Sequence, residues 1–484
     1  MGDFNLMPVL PVLALAAFGL LALLFAPSLK GQSRVLGGIS LLGVAVAGAA
    51  TARLWQLAGG GDPIETARGM VRVDGFGLFF TSLLLGIGAL TIVASLRFLE
   101  REEADHAEFY PLVLFALAGM IVMVQTTHLL MVLIGLEVFS LSLYVLTGLT
   151  RGRVRSVESA LKYFLLGAFS SGFLVYGMAL LYGAVGSLDM RRIGAAAAAS
   201  PSPMLWMGMG LVLIGLAFKI GVVPFHHWVP DVYEGAPTNV AGFMATATKT
   251  AAFAVLLRFL LGAFAGNEGV WVPLVTWLAI LTMTVANVVA LAQTNIKRLL
   301  AFSSIGHAGY LLIAVVCRPE DGVKAILFYL TSYAFMTLGA FAVASAVGHG
   351  DARSEPGYDL RSWSGLGWRR KGLGIAMSLF LFSLAGIPPT GGFLGKYLIF
   401  MSAMHSHRYL LAVVGVLNAV VAAYYYLRVV VTMWMREPET DEEPLPVPAS
   451  LAAVLAVAAL GVLYLGLAPG RLLDLLGVLT SGLI

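Results

Sequence analysis

Three features of this sequence predict an all-α, polytopic membrane architecture. Apolar residues make up 59% of the chain and charged residues 12%, against roughly 45–50% and 25% in a soluble domain. The charges fall in short clusters, and the stretches between them stay apolar for about twenty residues, the length of helix that spans a hydrocarbon core. These stretches also lack the apolar–polar alternation that the strands of a membrane β-barrel require.

With a single cysteine, Cys317, the chain offers no internal disulfide framework, zinc knuckle or four-cysteine iron–sulfur site. The net charge of +4 sits beside the apolar runs rather than in a patch interleaved with aromatics. The lipid bilayer, not nucleic acid, is therefore the expected partner.

About fourteen transmembrane helices are predicted, near 8–26, 34–53, 75–97, 110–127, 129–149, 158–185, 203–223, 238–264, 271–292, 299–316, 323–347, 372–404, 408–434 and 449–468. The first carries Asp3 and no base ahead of it, and Lys30 and Arg34 after it, so it is expected to remain as a helix rather than act as a signal peptide. Four sections follow: 1–109 with three helices, 110–264 and 271–434 with five each, and 435–484 with the last helix. The loops after odd-numbered helices, which include Lys30, Arg101, Lys297 and Arg353, hold 15 Lys and Arg residues against 9 on the other side. By the positive-inside rule both termini face outward, to the periplasm of a bacterium. The longest loops, 348–371 and 435–448, read as solvated connectors, which leaves the function inside the bilayer.

Ionisable residues inside the spans are the informative ones. Lys219 in GLVLIGLAFKIGVVP, Lys249 in VAGFMATATKTAAFAVLL, Lys396 in GGFLGKYLIFMSAM and Glu137 in HLLMVLIGLEVFSLSLYVL have apolar or small neighbours on both sides. Each costs about 2.5–3.5 kcal/mol near a bilayer centre, roughly 10 kcal/mol for the four, unless paired or hydrated. Lys219 lies close enough to a helix end to snorkel. Lys249 and Glu137 are too deep for that. Burial brings a lysine toward the range in which it can exchange protons, and a nearby carboxylate opposes that shift. A carboxylate that approaches and retreats would therefore switch the lysine, so the four residues are read as a proton path.

Two helices, the seventh and twelfth, are expected to be broken. Gly221-Val-Val-Pro224 follows Lys219 and Gly386-Ile-Pro-Pro389 precedes Lys396; proline removes a backbone donor and clashes with the preceding turn. Unwound backbone at membrane depth is tolerated only inside protein or beside a wet cavity. The breaks occupy corresponding places in helices 4–8 and 9–13, as in inverted repeats whose paired broken helices mark ion sites. Ordinary proline kinks are the alternative. His226 and His227 adjoin on one helix and so diverge, with no further ligands evident, and no metal is expected. His307, in SSIGHAGYLL, titrates near neutrality and is either a relay between lysines or a structural histidine. Tyr329, Tyr333 and Tyr424 to Tyr426 could hydrogen-bond along the same path.

The runs PFHHWVPDVYEGAPTNVAGFMATATK (Pro224 to Lys249), QTNIKRLLAFSSIGHAGYLL (Gln293 to Leu312) and GIPPTGGFLGKYLIF resemble the antiporter-like membrane subunits of respiratory complex I, most closely the subunit N branch of bacterial NADH–quinone oxidoreductase. The similar subunit L carries further spans and a lateral helix, and subunit M a glutamate where Lys396 stands; neither has the YEGAP form of Tyr233 to Pro237. Thr238–Asn239 replaces a more usual Thr–Pro.

The resemblance implies proton translocation driven by quinone reduction elsewhere in the complex. It makes Glu137 and Lys219 the coupling ion pair, Lys249 the central relay and Lys396 the terminal lysine. It also implies that NADH, FMN, iron–sulfur clusters and quinone are bound by partner subunits, with subunits M and K-like proteins as neighbours in the bacterial inner membrane. Two other readings stay open: the large subunit of a multisubunit cation/proton antiporter, and a non-pumping scaffold whose buried charges fix helix register.

Overall fold

The computed structural model describes residues 5–29, 32–59, 61–97, 106–348, 357–438 and 446–481. Asp3, Lys30, Arg101 and Arg353, used above, lie outside the described residues.

All fourteen predicted segments are occupied by helix. The first six are α1 (Leu10–Phe25), α2 (Ser33–Ala58), α3 (Gly75–Ser95), α4 (Phe109–Val124), α5 (Leu129–Thr147) and α6 (Val154–Val185). After an amphipathic helix α7 (Met190–Ala199) come α8 (Pro203–Ile220), α9 (Trp228–Gly235) and α10 (Thr238–Ala263). The remainder are α11 (Glu268–Leu291), α12 (Ile296–Val315), α13 (Pro319–Val347), α14 (Lys371–Ala385), α15 (Gly391–His405), α16 (Tyr409–Met435), α17 (Ala449–Leu467) and α18 (Gly470–Ser481). Among the described residues twelve helices are long and apolar enough to cross a membrane, with α4 and α14 shorter.

The seventh and twelfth segments are broken. Each first half, α8 and α14, ends on a left-handed glycine, Gly221 (φ 81°) and Gly386 (φ 89°). At both, the glycine N–H and the next N–H turn back onto the last helical turn: Val222 N–H donates to the Ala217 carbonyl at 2.9 Å and Ile387 N–H to that of Phe382 at 2.9 Å. Glycine accepts this conformation without the Cβ clash of other residues. The chain then re-enters helix at Trp228 and Gly391.

Other elements were not foreseen. A β-hairpin pairs β1 (Ile64–Thr66) with β2 (Val71–Val73), antiparallel, with Ile64 opposite Val73, and α7 and α18 lie outside the predicted spans. Asp74, just past the hairpin, caps α3 by accepting from Gly77 N–H at 2.8 Å.

The bundle is organised around α10, which is buried from Thr238 to Leu260 and packs on α3, α4, α8 and α13. Its small residues allow that crowding. Helices α1, α2, α6, α11, α16 and α17 keep broad outward faces. A close glycine crossing joins α4 and α5. A Cβ at Gly135 would stand 2.5 Å from the Gly119 carbonyl oxygen, and one at Gly119 would stand 2.6 Å from that of Gly135. Gly135→Val must push the helices apart and is expected to cost about 1–3 kcal/mol, read as a lower Tm of the detergent-solubilised protein; an unchanged Tm would refute this packing.

Candidate functional site: a buried polar line through the bundle

Lys219, on the last turn of α8, is 2% exposed and does not snorkel. Its Nζ donates to Ser140 Oγ on α5 at 2.8 Å and is walled by the rings of Phe139, Tyr144, Tyr163 and Phe218, centroids 5.4–5.7 Å away. Such faces attract an ammonium.

Glu137 corrects an expectation. It is half-buried rather than sealed in mid-bundle, and its Oε1 accepts from Ser171 Oγ of α6 at 2.6 Å. Among the described residues, the ion pairs within 4 Å do not include Glu137 with Lys219. Ser140, one helical turn along α5, accepts the lysine N–H instead. The sequence could not show this, because α5 is apolar all round and its outward side is set only by how α4 and α6 pack on it.

Lys249 is 1% exposed at the centre of α10, directly after a π-helical turn at Met244–Thr248. Its ammonium donates to the Ser304 carbonyl and, at 2.5 Å, to Ser304 Oγ. Tyr333 OH donates to the same Oγ at 2.9 Å. One turn further along α12, His307 (2% exposed) has both ring nitrogens engaged: Nδ1 with Tyr329 OH at 2.5 Å and Nε2 with Tyr426 OH at 3.0 Å. Tyr426 OH also bonds Ser303 Oγ.

The Tyr310 ring stands between His307, at 5.9 Å, and the Lys396 ammonium, at 4.9 Å. Lys396 is 4% exposed and donates to the carbonyls of Leu384 and Ala385, at 2.8 and 3.0 Å. It thus closes the C-terminal end of α14 at the second break, where a cation is favoured. Tyr310 OH continues to Asn287, which meets Asn418 and Tyr425.

Lys249, His307 and Lys396 therefore share one polar line with Tyr329, Tyr333 and Tyr426. Tyr424 points away and is 63% exposed. Lys219 lies apart, beyond the aromatic wall of Tyr163, Trp228 and Tyr233. His226 and His227 correct an expectation: they lie in the turn before α9 rather than on a helix, and their rings do not diverge but meet at a tilt with centroids 4.5 Å apart. Among the described residues no group of three or more His, Cys, Asp or Glu is placed to hold a metal.

Two buried cations escaped the sequence analysis. Arg258, on α10 beyond Lys249, forms a two-pronged pair with Asp74, NH1 to Oδ2 at 2.9 Å and NH2 to Oδ1 at 2.7 Å, and also reaches the Val124 carbonyl. Burial would raise the Asp74 carboxyl, but the Arg258 charge and hydrogen bond, the Gly77 N–H and Arg72 outweigh it and hold the group below its ordinary range. A charged residue inside the eighth span was the available signal. Lys297, counted above among loop bases, is 2% exposed.

The family model for the NADH:quinone oxidoreductase/Mrp antiporter transmembrane region matches residues 126–422, which contain Lys219, Lys249, His307, Tyr329, Tyr333 and Lys396; Tyr426 lies just beyond it. The chain is 44% identical over 464 residues to NADH-quinone oxidoreductase subunit N 2 of Roseiflexus castenholzii, covering 93% of this chain and 91% of that one. It is 42% identical over 474 residues to subunit N of Trichlorobacter lovleyi, covering 97% and 96%.

The chain belongs to the NADH-quinone oxidoreductase subunit N family.

A chain of respiratory complex I from Thermus thermophilus superposes with a TM-score of 0.80 at 39% identity, covering 96% of this chain and 98% of that one. A chain of the Mrp complex from Dietzia sp. DQ12-45-1b superposes at 0.86 with 22% identity and 99% and 98% coverage, which shows a shared fold. The subunit N family thus has an all-α, antiporter-like membrane fold, and the polar line lies along the inside of it.

Proposed function

We propose that this chain is a proton-translocating membrane subunit of an NADH–quinone oxidoreductase. The buried line of titratable and hydroxyl side chains that runs by hydrogen bonds from Lys249 to Ser304 and Tyr333 and from His307 to Tyr329 and Tyr426, joined by ring contacts of Tyr333 with His307 and of Tyr310 with His307 and Lys396, carries this reading. No other chemistry repays four ionisable groups buried at membrane depth as directly as passing protons. Lys249 is the central relay, His307 the hub that accepts on one ring nitrogen and releases on the other, and Lys396 the terminal donor. Lys219 receives its proton beside Ser140, and Glu137 biases it from α5.

Electron transfer and its cofactors (NADH, FMN, iron–sulfur clusters, quinone) belong to partner subunits. Neighbours of the M and K type flank the chain in the inner membrane. Fourteen crossings, with both termini on the periplasmic side, fit the 15-to-9 distribution of basic loop residues. Sections 110–264 and 271–434 act as two inverted halves; the matched glycine ends at Gly221 and Gly386 support that pairing.

The antiporter reading is disfavoured by the subunit N relatives at 42–44% identity over nearly the whole chain, against 22% for the Mrp chain. The test is the complex in sealed vesicles, with NADH oxidation and lumen acidification followed together. Lys219→Ala and Lys396→Ala are each expected to lower the protons moved per NADH oxidised. Wild-type ratios for both variants would overturn the relay.

A further inference from the structure

We infer that Lys297 is a positioning residue that couples the Lys219 site to the Lys249 line through α9, a short helix whose two ends contact the surroundings of Lys219 and the Lys297 ammonium. The inference rests on the relay proposed above and adds the part that joins its two separated sections.

At one end of α9, the Lys297 ammonium donates to the carbonyls of Glu234 and Ala236, at 2.8 and 2.6 Å. A cation there satisfies the free carbonyls of a helix C-terminus and complements its dipole. The Tyr358 ring covers the same ammonium at 4.8 Å, and Tyr358 OH bonds Thr238 Oγ1, the first residue of α10, at 2.6 Å. Lys297 itself belongs to the first turn of α12, which Asn295 caps by accepting from Lys297 N–H at 2.9 Å and Arg298 N–H at 3.3 Å. α12 carries Ser304 and His307, and α10 carries Lys249. The end of α9 is thereby tied to both helices of the central line.

At its other end α9 begins with Trp228, whose Nε1 donates at 3.0 Å to the Phe218 carbonyl, next to Lys219. The Trp228 ring stacks on Tyr163 at 4.7 Å and on Phe218 at 5.3 Å. Both of those rings wall the Lys219 ammonium. Eight helical residues span about 12 Å. A shift of α9 therefore moves the aromatic wall of Lys219 and the carbonyls that hold Lys297 together.

An ion network braces the outer side of this helix. Asp231 pairs with Lys162 at 3.0 Å and with Arg298 at 2.8 Å, and Glu234 pairs with Arg298 at 2.7 Å and with Arg155 at 3.4 Å. A cavity of about 790 Å³, bordered by Ser156, Glu234, Lys297, Arg298 and Tyr358, adjoins the C-terminal end of α9.

The test compares Lys297→Met, Trp228→Phe and the double variant in the assembled complex in sealed vesicles, with Arg151→Gln as a same-face charge control and Lys219→Ala as the reference. Each single variant is expected to lower the protons moved per NADH by at least about threefold, and the double to be no worse than the worse single, because residues acting through one element are not additive. Lys297→Arg, which can still donate to both carbonyls, should recover most of the ratio. Hydrogen exchange across 228–236 should quicken in Lys297→Met while that of 238–257 stays slow.

Effects that multiply in the double variant, or a Lys297→Met ratio no different from that of Arg151→Gln, would overturn the coupling. Should Lys297→Met not assemble, Tyr358→Phe with Trp228→Phe takes its place, and wild-type ratios there overturn it equally. A wild-type ratio in Lys219→Ala would instead show the relay itself to be wrong; a collapsed ratio there, with Lys297 and Trp228 variants unaffected, rejects the α9 coupling alone.

Discussion

Arg258→Ala is expected to be the most destabilising single substitution proposed here, by about 3–5 kcal/mol, the cost of leaving one member of a buried ion pair without its partner. The Arg258 side chain is 5% exposed and that of Asp74 18%. Asp74 also caps α3, so the unpaired carboxylate cannot simply turn to solvent. Asp74→Asn should cost less, since the amide keeps an acceptor for Gly77 and for one guanidinium N–H. Replacing both residues by apolar ones of similar volume should cost less than Arg258→Ala alone. The pair also sets a pH window. Because the folded carboxyl lies below its unfolded value of about 3.9, its contribution is present above that value and is lost as the pH falls through the folded one. Thermal unfolding of the solubilised protein at pH 7 and at about pH 2, below the unfolded carboxylate value, measures both effects; equal Tm values for wild type and Arg258→Ala at pH 7 would refute the first.

The largest functional effect is expected at Lys249. A positioned proton donor contributes about 10²–10⁴-fold to a transfer step, and Lys249 alone joins α10 to the Ser304–Tyr333–His307 line. Lys249→Ala should therefore block translocation through this chain. The bundle should remain folded, because removal of a buried ammonium also removes its desolvation cost. A scaffold whose charges merely fix register would behave in the opposite way, losing stability and keeping its proton yield.

The helical segments and the intramembrane positions of Glu137, Lys219, Lys249 and Lys396 were legible in the sequence because each charge interrupts a long apolar run, and both breaks because Gly and Pro act locally. Glu137 lies mid-span as expected but is half-buried rather than enclosed: its surroundings depend on which side of α5 is left open, and an evenly apolar helix carries no mark of that. The Arg258–Asp74 pair joins residues 184 positions apart, a contact that only the packing of α10 on α3 creates. Lys297 reads as a loop base until α9 folds back after the break and presents its carbonyls to it. The strands of the hairpin at 64–73 are three residues each, too short to show an alternation, and α7 is short and alanine-rich.

Lys249→Met separates charge from volume, since methionine fills nearly the same space without an ionisable group. In sealed vesicles containing the assembled complex, lumen acidification per NADH oxidised is the direct reading. A proton relay at Lys249 predicts that methionine fails as completely as alanine while assembly and Tm hold. Full acidification with methionine in place would contradict the account, because the buried ammonium would then have no part in moving protons.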